Sequence, residues 1–439
     1  VSGGDSLERY REDFPALNRR RRGKPAVYFD NACTTLVPTQ VIEAMNEYYE
    51  DFPSCGGGRS RHWFAEEVTT RLKASRRTVA EFINAASEKE IIFTMNTSHA
   101  INAVALGFRF RPGDNVLLTD KEHNSNLLPW LRLQEKGIIG VDRTVPGAAD
   151  AFDLEDFERR MKNGRIRLVS MAFTSNTTGH TIPAKEIVNI AHEHGARVLL
   201  DGAQTVPHAP VDVRDLDVDF LAFSLHKMCG PRGVGVLYGK GELLAWAESE
   251  GGGADNVVES TILGGGTVDD ATHDSYNLFE APGRFEAGIQ DYAGQIASGA
   301  AIKYLRDIGM DRIRAHEVRL NSYLTEEISS RYESAGWFKI LGPRDAAERG
   351  GILTFEVKRP NAIGIAEQLS DKNNIMIRDG VFCAHSYFNE RYGVGWMRPR
   401  AHAEHRMVYR VSLYFYNTME ECRTFLDTLH EVFEERSYI

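Results

Sequence analysis

Four short segments carry residue types at spacings that chemistry can use. The most informative is FSLHKMCGPRGVGVLYG, 223–239, in which a short strand ends in Ser224, His226 and Lys227 before a Gly/Pro-rich turn and a second strand. A lysine at a strand end beside glycine-rich backbone lets a small planar ligand approach closely. If the amine is desolvated its pKa falls, and it becomes a nucleophile for carbonyl chemistry. The same pattern also describes an ordinary loop lysine. The second segment is LLDGAQTVPH, 199–208, with Asp201 at the end of an apolar run. Open α/β sheets bind ligands beyond the carboxyl ends of such strands. A carboxylate there is costly to bury without a partner. A protonated pyridine nitrogen is one such partner; the start of the next helix is another. Gln204 offers an amide close by. The third segment, TMNTSHAIN (94–102), places Thr97 and Ser98 at a helix start. Hydroxyls and free backbone N–H groups there suit an anion, and equally a plain helix cap. In the fourth, DKEHNSNLLPW (120–130), His123 follows a strand end. Its ring can stack on a planar ligand or serve a structural role.

These residues need a scaffold, and the intervening pattern supplies one. Pro38 opens an amphipathic stretch with Val41, Met45, Tyr48 and Phe52 at helical spacing, and a second helix is expected from Arg71. Apolar runs follow at 91–95, 115–120, 166–173, 196–203, 220–224 and 234–239. Consecutive rather than alternating apolar residues suit parallel strands covered on both faces. Helical segments between them predict an α/β domain with a mostly parallel sheet. Residues 249–283, rich in Gly and Asp, read as long loops. Two long helices follow, and 336–439 alternates strands and helices as a second, smaller α/β unit. The domain boundary is expected within or just after the helix near 292–306. The run Arg19 to Arg22 reads as a solvated loop.

The chain has 439 residues, enough for about two to three domains. Its net charge of -10 disfavours nucleic acid and anionic membrane surfaces as partners. No apolar run approaches the ~20 residues that span a bilayer. The polar stretch VSGGDSLERYREDFPAL is not a secretory signal. The five cysteines, Cys33, Cys55, Cys229, Cys383 and Cys422, are scattered with no CxxC pair. That argues against a disulfide framework or a metal site, and for a reducing, cytoplasmic location.

The order and spacing of the four segments, with Asn176 in FTSNTTGH, resemble pyridoxal 5'-phosphate (PLP) enzymes of the class V aminotransferase family. The resemblance runs from about Tyr28 to the C-terminus. Within the family the chain most resembles the group II cysteine desulfurase and selenocysteine lyase branch. The carriers include YFDNACTT, KEHNSNLLPW, DGAQTVPHAPVDVRDLDVDF, SLHKMCGPRGVGVLYG, APGRFEAG, IRDGVFCAH and YRVSLYFYNT. The resemblance implies a fold-type I PLP-dependent transferase with a mostly parallel seven-stranded sheet in a large domain, 28–295. A smaller C-terminal α/β domain, 296–439, and an N-terminal segment, 1–27, packed on that small domain complete it. Lys227 would hold PLP and move protons, Asp201 would pair with the pyridine nitrogen, and His123 would stack on the ring. Gln204 and Asn176 would bond around the phenolic oxygen; Thr97, Ser98, Ser224 and His226 would hold the phosphate. Arg410 would clamp the substrate carboxylate with its guanidinium fork. Asn31, His62 and Arg378 match further substrate-side positions. Cys383 matches the cysteine that takes sulfur from L-cysteine as a persulfide and leaves L-alanine. The other four cysteines read as structural. A homodimer and a sulfur-acceptor protein are the implied partners.

The chain departs from the branch in three places. Val381 and Phe382 stand where two histidines usually precede the cysteine. Ile289 stands where a threonine usually reaches the neighbouring subunit's phosphate. The stretch 384–409 is long and rich in aromatics, Arg and His, suited to a lid, a pocket wall or a surface elaboration. The alternative is therefore a class V PLP-dependent lyase, epimerase or aminotransferase acting on another amino acid, with Cys383 not catalytic.

Overall fold

A computed structural model describes residues 7–58, 60–147, 150–244, 258–395 and 406–439. One sheet holds β1 (Ile91–Thr94), β2 (Asn115–Leu118), β3 (Gly140–Arg143), β4 (Ile166–Ala172), β5 (Arg197–Asp201), β6 (Phe220–Ser224) and β7 (Gly235–Gly239). Their order is β1-β7-β6-β5-β4-β2-β3. Neighbours run parallel except that β7 is antiparallel to β1 and β6. The β6–β7 connection, 225–234, is too short for a parallel return, which takes about a dozen residues or more. β3 has no apolar run to announce it. Its residues, Gly-Val-Asp-Arg, lie half-buried or exposed at the sheet edge.

Alternate side chains of these strands divide between two cores. Leu117, Val169, Met171, Leu200, Leu221, Phe223 and Val236 pack on one face. Val116, Leu118, Leu168, Leu199, Phe220, Ala222 and Leu237 pack on the other. Each such burial contributes about 1.5–3 kcal/mol, which is why the strands read as continuous apolar runs. Helices α1 (Thr39–Asp51), α2 (Trp63–Phe82), α3 (Thr97–Gly107), α4 (Asn124–Glu135), α5 (Leu154–Asn163) and α6 (Ala184–Glu193) surround the sheet. α3 and α4 follow β1 and β2 directly, so both helix N-termini come to the carboxyl edge of the sheet. Gly235 permits the closeness of α3: a Cβ there would meet the Asn96 backbone at 2.5 Å.

The Gly/Asp-rich region holds a two-stranded hairpin rather than loop alone, β8 (Val268–Ala271) with β9 (Tyr276–Leu278). Its first part, 249–257, lies outside the described residues. α7 (Tyr292–Ile308) and α8 (Met310–Tyr332) follow. A second sheet, antiparallel throughout, takes β10 (Phe338–Leu341), β11 (Ile352–Val357), β12 (Arg378–Asp379) and β13 (Met407–Ser412) in the order β10-β11-β13-β12. α9 (Ile365–Asn373), α10 (His385–Tyr392) and α11 (Met419–Glu435) complete this part.

The expected boundary at 295/296 falls inside α7, which packs against α1 and α2. The change of core comes later, along α8: Ile313 belongs to the large-sheet core, Leu320 and Leu324 to the small-sheet core. The N-terminal segment touches both parts. Leu7, Phe14 and Leu17 join the large-sheet core, Arg11 pairs with Glu421 at 2.8 Å, and Val27–Tyr28 pairs in parallel with Ile375–Met376.

Candidate active site

The carboxyl edge of the large sheet opens into a pocket of about 270 Å³ lined by residues from both parts of the chain. One end is built from helix starts. Asn96 caps α3, accepting from His99 N–H at 2.9 Å. The Thr97 N–H donates to Ser224 Oγ at 2.7 Å, and the two hydroxyls lie 2.5 Å apart. Ser98 and Ser125 hydroxyls are 2.6 Å apart. Thr97, Ser98, Ser224 and His226 thus line one region of the pocket, beside the N-termini of two helices. Hydroxyls and the helix dipoles together suit a phosphate-sized anion.

Lys227 ends a short helical turn after β6, and Asp201 ends β5. Burial lowers the lysine pKa; the Asp201 carboxylate opposes that and Arg410 adds to it. The uncharged amine is thereby favoured, as nucleophilic use requires. Burial raises the Asp201 pKa, against an accepted bond from Ala203 N–H at 3.0 Å and the charge of Lys227. His123 caps α4, its Nδ1 accepting from Ser125 N–H at 3.1 Å. Burial, then Lys227 and Arg410, push its pKa down to about 3. His226 falls to about 4 for burial, Lys227 and Arg232. Both imidazoles are neutral at ordinary pH.

Arg410 reaches the pocket from β13. It is 2% exposed, pairs with Asp30 at 3.3 Å and donates to the Asn176 carbonyl at 2.9 Å. Its Nε, like Gln204 Oε1, is buried without a hydrogen-bond partner among the described residues. Buried polar atoms left in this way are costly unless a ligand meets them. A desolvated amine, a buried carboxylate, a neutral ring and these unmet atoms fit a polar aromatic cofactor and a carboxylate-bearing substrate.

Cys383 lines the same pocket, on the loop between β12 and α10. The loop is held from beneath. Asn124 N–H donates to the Cys383 carbonyl at 2.7 Å, and Asn176 Nδ2 to the Phe382 carbonyl at 2.7 Å. Phe382 and Cys383 both adopt positive φ, 46° and 58°. The Arg410 guanidinium stacks on the Phe382 ring at 4.9 Å. The apolar residue at 382 thus packs on Arg410 and on Phe388 of α10.

Of the residues singled out in the sequence, Thr97, Ser98, His123, Asn176, Asp201, Gln204, Ser224, His226, Lys227, Arg378, Cys383 and Arg410 line this pocket. Asn31 and His62 do not. Asn31 is fully buried and spends its amide on the Ser412 carbonyl at 2.7 Å and Asn417 Oδ1 at 3.1 Å, while Tyr416 OH donates to its oxygen. His62 caps α2 at the surface. Ile289 is 69% exposed. Cys33, read as structural, lines the pocket, as do Asn96, Ser125 and Thr174. Cys229 and Cys422 are fully buried.

A family model described as Aminotransferase class-V matches residues 27–425. The chain belongs to the class V aminotransferase family. A probable cysteine desulfurase of Synechocystis is 36% identical over 426 residues, covering 95% of this chain and 94% of the relative. One from Methanothermobacter thermautotrophicus is 37% identical, covering 97% and 98%. The solved apo structure of a cysteine desulfurase from Thermococcus onnurineus superposes with a TM-score of 0.86 at 34% identity, covering 99% and 100%. The class V member described here is accordingly a PLP-dependent enzyme. Among its described residues no helix is long and apolar enough to cross a membrane.

Proposed function

We propose that the enzyme is a cysteine desulfurase of the group II branch, converting L-cysteine to L-alanine and keeping the sulfur as a persulfide on Cys383. The observation that carries this reading is the placement of Cys383 in one pocket with Lys227, Asp201 and Arg410. The names of the full-length relatives support it. PLP, when bound, supplies an electron sink for bond cleavage at the substrate's α- and β-carbons.

The protein residues divide the remaining work. The Lys227 amine would hold the cofactor and would carry protons at the substrate's α-carbon. Asp201 holds the proton of the ring nitrogen. His123 would face the ring as a neutral imidazole, so it would add no charge to oppose that proton. The hydroxyls of Thr97, Ser98 and Ser224, with His226, take the phosphate. Arg410 orients the substrate through its carboxylate, with Asp30 keeping the guanidinium in place. The Cys383 thiolate attacks the substrate sulfur and a sulfur–sulfur bond forms; the β-carbon–sulfur bond breaks with its electron pair passing to the β-carbon, which takes up a proton as the methyl group of alanine. A homodimer and an external thiol acceptor complete the proposed cycle.

The test is PLP-loaded protein with L-cysteine, assayed for alanine and sulfide with and without a thiol reductant, beside Cys383→Ala. Alanine from the wild type that disappears in Cys383→Ala is expected. Undiminished turnover in Cys383→Ala would instead indicate a lyase or aminotransferase in which that cysteine is a bystander.

A further inference from the structure

Cys33 is the one cysteine besides Cys383 among the pocket-lining residues. Its backbone is pinned on both sides. Ala32 N–H donates to Ser412 Oγ at 2.9 Å, and Gln204 Nε2 donates to the Ala32 carbonyl at 2.7 Å. Thr34 Oγ1 and Thr35 N–H both donate to the carbonyl of His226, the residue before Lys227, at 2.9 Å. The sulfur is engaged as well. Arg378 Nη1 donates to Cys33 Sγ at 3.0 Å and lies 3.8 Å from the Asp30 carboxylate. Arg378 stands five residues before Cys383 on the strand that leads into its loop. Cys33 and Cys383 both lie near enough to Lys227 to influence its charge. By contrast, Cys229 and Cys422 are sealed in apolar cores, where burial raises both thiols. A sulfur that meets a guanidinium, itself beside a carboxylate, inside a ligand pocket is set up for thiol chemistry rather than for packing.

We propose that Cys33 is a second sulfur-handling residue, which accepts the sulfane sulfur from the Cys383 persulfide. The inference rests on the desulfurase reading. The Cys33 thiol gives its proton to the Asp30 carboxylate and attacks the outer sulfur of the persulfide. The bond between that sulfur and Cys383 Sγ breaks, its electron pair leaving as the Cys383 thiolate. A new sulfur–sulfur bond forms on Cys33. One persulfide is consumed and one is made, so no oxidant or reductant is required. Cys383 is then free for a second substrate molecule, and each subunit stores two sulfane sulfurs.

The experiment is a burst measurement on PLP-loaded protein with excess L-cysteine and no reductant. Alanine per subunit is counted, and peptides are trapped with a thiol alkylator for mass spectrometry. Expected are two alanines per subunit, one added sulfur on each of the Cys33 and Cys383 peptides, and the Cys383 mark appearing first. Cys33→Ser is expected to halve the burst, and Cys383→Ala to leave Cys33 unmarked. One alanine per subunit with the mark on Cys383 alone overturns the relay and leaves the desulfurase reading standing. A marked Cys33 in Cys383→Ala also overturns the relay, since sulfur then reaches Cys33 directly from substrate. A wild type that forms no alanine overturns both. The peptide marks are read on the wild type, so the conclusion survives a variant that folds poorly.

Discussion

His123 stays neutral because its surroundings oppose its charge, and that has a consequence for folding. Free histidine titrates near 6.5, whereas His123 is pushed down to about 3 and His226 to about 4. Between those values and 6.5 the unfolded chain binds protons that the folded chain refuses. Stability therefore rises with pH through that window and is lost as pH falls below about 6.5, by up to about 1.4 kcal/mol per pH unit for each group. The urea midpoint is expected to drop between about pH 7 and about pH 5, and His123→Gln to flatten that slope. A midpoint that ignores pH in both proteins would contradict the assignment. Arg410 makes a second test. Lysine keeps the charge but loses the planar fork, so Arg410→Lys is expected to lower kcat/KM for L-cysteine about 10- to 100-fold, mostly through KM. An unchanged KM would remove Arg410 from substrate binding. Lys227 and Asp201 were legible because local sequence reports a strand end, and a strand end in this fold is at the ligand edge. Asn31 and Cys33 were not. Their neighbours in space, Ser412, Asn417 and Arg378, are hundreds of residues distant, so sequence could not say which of the two faced the pocket.

The element that carries Cys383 into the pocket is the loop from β12 to α10. Two asparagines hold it, Asn124 through its backbone N–H and Asn176 through its side chain. Asn124 adds a side-chain bond to His385 at 2.9 Å, tying the start of α4 to the start of α10. The resemblance assigns Asn176 to the phenolic oxygen; its amide nitrogen donates to the Phe382 carbonyl. Removing one such buried bond costs about 1–3 kcal/mol locally. Asn176→Ala is expected to raise amide hydrogen exchange in 382–388 at least several-fold while exchange in β4 and β5 stays unchanged. Equal exchange in the loop would show that α10 alone fixes it. The elements legible in sequence were those with strong periodicity: the central strands and the long helices. β3 was missed because an edge strand needs no apolar run, and the β8–β9 hairpin because its residues are mostly exposed and follow no alternation.

At the scale of the molecule, the active pocket is assembled from two sheets that share no hydrogen-bonded strand. Their relation is fixed by α8, by the N-terminal segment and by aromatic packing after β13. Phe14 packs on Tyr304, Phe415 and Tyr416, with ring centroids 4.6–6.1 Å apart. The proposed homodimer would add a further constraint. Ile262, Leu263, Tyr276, Phe279 and Ile289 are each at least 43% exposed, and all fall in the segment around the β8–β9 hairpin. Scattered apolar side chains on a surface need no partner, but five exposed in one short segment are where a second chain would bury apolar surface. Such an interface buries about 800 Å² or more on each subunit, with its energy concentrated at a few central residues. The double substitution Tyr276→Arg with Ile289→Arg places two charges in that cluster without touching either internal core. Sedimentation is expected to show the wild type at the mass of two chains and the variant at one, with unchanged circular dichroism. A wild type that sediments as one chain, or a variant that remains a dimer, would place the interface elsewhere or remove it. If the dimer dissociates while PLP stays bound, the cofactor site is complete within one chain. If PLP is lost as well, the neighbouring subunit contributes to it.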